Sequence, residues 1–144
     1  MGPLAKGTPM HINLLAVLLA AVSSMVVGTV WFLPAVFGRA WMTRTTVDPN
    51  KPKRRGLVYT LAFLAAAVTA VVLAAGTSVA HDVYGGSYLV VALAVASILW
   101  VGFTAATGAV HALFEGRAAG IYLINAGHTL VTVLVMAVII GLLA

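Results

Sequence analysis

Phe114-Glu115-Gly116-Arg117-Ala118-Ala119-Gly120-Ile121-Tyr122-Leu123-Ile124-Asn125-Ala126-Gly127-His128 is a polar turn between two long apolar runs. Thr104, Thr107 and His111 lie in the run before it, and Asn125, His128 and Thr132 in the run after it. Most of the polar groups that must sit among apolar surroundings therefore gather around one turn. The connection is too short to do anything but fold the two runs back on each other as antiparallel neighbours.

Two further apolar stretches precede this pair. The runs cover about 12–33, 56–76, 88–113 and 119–143, each long enough for a helix across a hydrocarbon layer ~30 Å thick at ~1.5 Å per residue. Only 8% of the 144 residues are charged and 62% are hydrophobic, too few charges to cover a water-facing surface. In hydrocarbon an unpaired backbone group costs several kcal/mol, so each run must be helical. The expected fold is an all-α integral membrane protein. It is a four-helix transmembrane bundle made of two antiparallel hairpins, with a short interfacial helix after the first span.

The stretches between the runs agree with this. Phe37-Gly38-Arg39-Ala40-Trp41-Met42 and Arg44 suit a headgroup layer, where aromatic rings and Arg side chains are stable. Residues 45–56, with Lys53-Arg54-Arg55, read as the water-soluble linker, and 77–87 as the next loop. Residues 1–9 differ in composition from the rest and read as a disordered tail or an expression remnant, leaving 10–144 as one membrane domain. Ala62, Ala66, Ala70 and Ala74 recur at helical spacing and form a ridge against which another helix packs closely. Phe-Gly-Arg-Ala at 37–40 echoes Phe-Glu-Gly-Arg-Ala at 114–118, a hint of parallel duplication.

Charge gives orientation. Arg and Lys concentrate in loops 34–55 and 114–118, while 77–87 has none, so the positive-inside rule puts those two loops in the cytoplasm and both termini outside. The formal charge of +5 belongs to these loop ends, with no aromatic–basic interleave, so no nucleic-acid partner is expected. The lipid bilayer is the expected partner, together with a second copy of the chain, most simply in a symmetric dimer.

The candidate site is an intramembrane polar seam of Thr104, Thr107, His111, Asn125, His128 and Thr132, with Glu115 and Arg117 at the cytoplasmic turn. In an antiparallel pair centred near Gly116, Thr104 falls level with His128 and Thr107 with Asn125. His128 lies roughly 10 residues into its helix, which at ~1.5 Å per residue is near mid-membrane. Such a seam serves as hydrogen-bonding glue between helices, or it lines a cavity; an intramembrane histidine is a functional candidate by default. Glu115 and His111 are helical neighbours and extend this to a proton relay reaching His128. A metal on His111, Glu115 and His128 is disfavoured by depth, since His128 sits about two helical turns below His111. There is no cysteine, hence no disulfide or thiolate site. His11 and His81 fall at the opposite interface, and Trp31, Trp41 and Trp100 are scattered.

His-Ile-Asn-Leu-Leu-Ala-Val at 11–17, Phe-Gly-Arg-Ala-Trp-Met at 37–42, and Phe-Glu-Gly-Arg with Tyr-Leu-Ile-Asn-Ala-Gly-His at 114–128 resemble the bacterial four-span membrane proteins called domain of unknown function seventeen-sixty-one. The resemblance runs from Met10 to Ala144. In that family an aromatic residue often precedes this histidine; here His128 follows Gly127 directly. It implies a small helical protein of the bacterial plasma membrane, with no established activity, cofactor or site residues. Three function classes follow: a structural or lipid-interacting membrane protein, a transport or permeation subunit for a small solute or proton, and a membrane enzyme that borrows a cofactor or a partner's residues.

Overall fold

The structure is a computed structural model that describes residues 10, 12–45 and 54–144. The expected tail at 1–9, His11, and the middle of the 45–56 linker lie outside these residues. No strand occurs among the described residues. Four helical stretches are long and apolar enough to cross a membrane, and the last three are longer than the first.

The first span is α1, Leu14–Trp31. Asn13 caps it: its side-chain oxygen accepts from the amides of Leu15 (3.0 Å) and Ala16 (3.3 Å), satisfying amides that a helix start leaves open. The Asn13 amide group also donates to the Leu143 carbonyl (2.8 Å), tying the beginning of α1 to the end of the last helix. After α1 comes a π-helical turn, Pro34–Gly38, and a short helix, α2, Arg39–Met42. Gly38 is required here, because a Cβ at this position would lie 2.3 Å from the Phe32 carbonyl oxygen. Gly116 is used differently, at φ +64° in the turn before the last span. The two similar sequence motifs thus build dissimilar turns.

The second span, α3, covers Arg55–Tyr84 and is longer than the sequence suggests. Gly76-Thr77-Ser78 reads as the start of a loop, yet the helix runs through it and stops only at Gly85, which has φ +69°. Packing explains the difference: Thr77 and Ser78 are fully buried, and Gly76 sits against Val95. His81 consequently rides on the helix, its ring 3.8 Å from that of Tyr88.

The third span is α4, Tyr88–Leu99, then a π-helical segment, Trp100–Ala105, then α5, Ala106–Phe114. The fourth is α6, Ala119–Leu143. Neighbours run in opposite directions. Asn13 meets Leu143 while Trp31 meets Ile124, and Leu89 meets Gly141 while Ala105 meets Tyr122.

The buried core occupies one half of the bundle. Val17, Ala20 and Ala21 of α1, Ala66, Ala70, Leu73 and Ala74 of α3, Ala92 and Ala96 of α4, and Met136, Ala137 and Ile140 of α6 form a single cluster. Three of the four ridge alanines belong to it. Small side chains let backbones approach closely, which matters where lipid removes the usual hydrophobic drive for helix association. Elsewhere large apolar side chains such as Phe103 and Leu113 face outward, as a lipid-facing surface requires.

The other half is open. α4 packs on both α3 and α6, whereas α5, beyond the π-helical segment, packs on α6. π-bulges redirect helices, and here the redirection leaves a lateral gap between α3 and the lower third span. The gap is at the end that carries the 115–118 turn and the first basic loop. Arg44 packs beside Gly120 there, so both loops share one end of the bundle.

Candidate functional site

Most serine and threonine hydroxyls among the described residues bond within their own helix. Ser23, Ser24, Thr29, Thr60, Thr69, Ser97 and Thr132 each donate to a carbonyl three or four residues back in their own helix. A hydroxyl used this way spends its hydrogen on its own backbone.

Toward the turn end of α6 the cross-helix bonds are donated by aromatic side chains. Trp31 Nε1 donates to the Ile124 carbonyl at 3.1 Å. Trp100 Nε1 donates to the Ala126 carbonyl (3.2 Å) and to Thr129 Oγ1 (3.0 Å). The Tyr122 hydroxyl donates to the Ala105 carbonyl at 2.7 Å, inside the π-helical segment. A buried indole or phenol brings apolar area plus one donor needing a partner. Here three such donors clamp α6 from two sides. Gly127 makes room for Trp31, because a Cβ there would lie 3.1 Å from the indole ring. The signal for these bonds in the sequence is an indole or phenol, with its one polar atom, inside an apolar run.

His128 takes no part in this clamp. Its ring sits against Phe32 (centroids 5.1 Å apart) and Trp31 (6.2 Å), next to Gly28. Its polar contact among the described residues is Thr132 Oγ1, 3.5 Å from Nε2, at the limit of a hydrogen bond. The Thr132 hydroxyl already donates to the His128 carbonyl at 2.8 Å. The imidazole therefore retains unspent hydrogen-bonding capacity.

It faces a groove of about 770 Å³, within the range of small-molecule sites. Met25, Ala62, Ala66, Val133 and Met136 supply apolar walls; the hydroxyls of Ser24, Thr29, Thr69 and Thr132 in the lining each donate to their own helix, and Tyr59, Thr104, Thr129 and His128 complete its polar part. The groove runs between α1, α3 and α6, with Thr104 of the π-helical segment at its edge. A second cavity, a cleft of about 320 Å³ between α5 and α6, lies toward the turn. Its lining includes His111, Glu115, Arg117, Tyr122 and Asn125. Thr104 and Thr129 line both spaces and form the wall between them.

The six seam residues are thus divided. Asn125 and His111 belong to the cleft, His128 and Thr132 to the groove, and Thr104 to both. Thr107 is exposed and lines neither. On the third span Thr104, His111 and Glu115 keep to one face and line the cleft together; the seam divides on α6, where Asn125 faces the cleft while His128 and Thr132 face the groove. Glu115 and Arg117 form an ion pair, each about half exposed, worth about 0–1 kcal/mol. His111 and Glu115 line the cleft and His128 the groove, and no hydrogen bond among the described residues links His111 or Glu115 to His128. Among the described residues no three His, Asp or Glu side chains gather as metal ligands.

One family matches: Protein of unknown function (DUF1761), over residues 15–141. No curated protein and no solved structure matches the chain.

Proposed function

The chain belongs to the DUF1761 family, and we propose that it is a non-enzymatic lipid-binding protein of the bacterial plasma membrane. Its four membrane spans make it a multi-pass protein, so its solvent around the groove is hydrocarbon.

One observation carries this reading: an imidazole with an unspent hydrogen-bonding atom faces a largely apolar groove lined by α1, α3 and α6. Lipid chains are as apolar as the groove walls, so burying a chain there brings little net gain. Selection of an occupant then falls to its polar part and to His128. The occupant is an amphiphile with a hydrogen-bonding group partway along its length.

Permeation has weaker support. The polar lining ends at Thr132; from Val133 to Leu143, α6 has no polar side chain, and the buried core closes that half. A solute entering the cleft would meet a blind end within one protomer. Orientation follows from Arg44 and Arg117 lying at one end, which supports a cytoplasmic location for the groove mouth.

Native mass spectrometry of the detergent-purified protein tests the proposal. We expect a lipid-mass adduct that survives mild delipidation. Wild-type protein that never carries one, even with excess added lipid, refutes it.

A further inference from the structure

The cleft and the groove share Thr104 and Thr129, and both are small side chains. Thr129 is held in place, donating to the Ala126 carbonyl (2.9 Å) and accepting from Trp100 Nε1 (3.0 Å). Thr104 lies within the π-helical segment. No hydrogen bond among the described residues engages the Thr104 hydroxyl or the Asn125 carboxamide, although both line the cleft. Polar groups facing a cavity without protein partners are available to a ligand or water.

The two spaces differ in chemistry along one axis. The turn end has an anion and a cation side by side, Glu115 and Arg117, at the mouth of a polar cleft. Beyond the threonine wall come His128 and then the Met25 and Met136 walls. Charge pair, then neutral donors and acceptors, then hydrocarbon is the order of groups along a zwitterionic glycerophospholipid. Its ammonium complements Glu115 and its phosphate Arg117, an oxygen ligand for which a guanidinium fork is suited. Its ester carbonyl needs a donor, which His128 or Asn125 supplies, and its acyl chain needs only apolar contact.

We propose that cleft and groove are two parts of one site, which holds a phospholipid whose headgroup carries a primary ammonium: headgroup in the cleft, ester region passing between Thr104 and Thr129, acyl chain in the groove. This rests on the lipid-binding reading above and deepens it by naming the class of lipid and its direction.

Two photoreactive phosphatidylethanolamines separate the claims, one with a diazirine on the headgroup and one with it at the chain end. The full chain in nanodiscs is irradiated with each, and the labelled peptides are mapped. The expected result is chain-end label on α1 and α6 around Met25 and Met136, and head label on the 106–126 stretch. Thr104→Trp fills the shared wall and should lower head labelling of that stretch roughly fivefold or more, the scale of losing one or two intramembrane polar contacts plus the seat itself. Thr107→Trp, at an exposed position of the same span that lines neither space, should keep both labels and so controls for the added indole. Asn125→Leu should lower head labelling and leave chain-end labelling of the groove in place. The proposal is overturned by chain-end label in the groove without head label in the cleft, or by head labelling that Thr104→Trp leaves unchanged; both leave lipid binding in the groove standing. Absence of both labels from the groove overturns the proposal and the lipid-binding reading together.

Discussion

Replacing His128 with Leu is the most direct probe of the groove. Leucine is of comparable bulk, so the contacts with Phe32 and Trp31 are largely filled and no large void forms. The hydrogen-bonding atoms are lost. A chain leaving the bilayer for the groove gains little, so the polar contact sets most of the preference for a bound lipid. Intramembrane hydrogen bonds average about 0.6 kcal/mol and reach about 1.7. At about 1.4 kcal/mol per tenfold, that is roughly a 3- to 16-fold loss of affinity. The Thr132 contact at 3.5 Å is too long to compensate in the unoccupied protein, so the full range applies. Titrating lipid into the purified protein and reading bound and free populations by native mass spectrometry measures this. His128→Gln retains a donor and an acceptor and should keep most of the affinity. If Leu binds within twofold of the wild type, or if Gln falls as far as Leu, hydrogen bonding at this position does not select the occupant.

Other outcomes follow from the packing. Gly127→Leu drives a side chain into the Trp31 ring and should lower stability in detergent by about 1–3 kcal/mol, visible as a reduced thermal midpoint; an unchanged midpoint contradicts the close approach. Trp31→Phe and Trp100→Phe each remove one donor to a different carbonyl of α6, so each should cost about 0.6–1.7 kcal/mol and the pair should add, as a double-mutant cycle in detergent unfolding will show. The chain has no cysteine, so single cysteines report sidedness cleanly. In intact cells an impermeant thiol reagent should label Gly86→Cys and spare Arg117→Cys; the reverse pattern inverts the orientation.

The number of spans was legible because hydrocarbon imposes one requirement on every crossing segment, an apolar run of sufficient length. The alanine ridge was legible for the same kind of reason, as small residues at helical spacing have few uses other than close packing. The end of α3 was not. Gly76-Thr77-Ser78 has loop chemistry locally, and only the burial of Thr77 and Ser78 keeps the helix going. The π-helical segment at Trp100–Ala105 was also hidden, since it arises where Trp100 and Ala105 bond to α6 and no local pattern announces it. The polar stripe splits into two spaces on α6, where Asn125 and His128, three residues apart, line different cavities. Ranking residues by polarity found His128 and Asn125 but passed over Trp31, Trp100 and Tyr122, whose single polar atoms do the joining.

Trp31 and Trp100 reach α6 from two different helices and bond to carbonyls only two residues apart, those of Ile124 and Ala126. Sliding α6 along its axis would stretch both bonds at once. The height of α6 is therefore set against the first and third spans together, and so is the depth at which His128 meets Phe32.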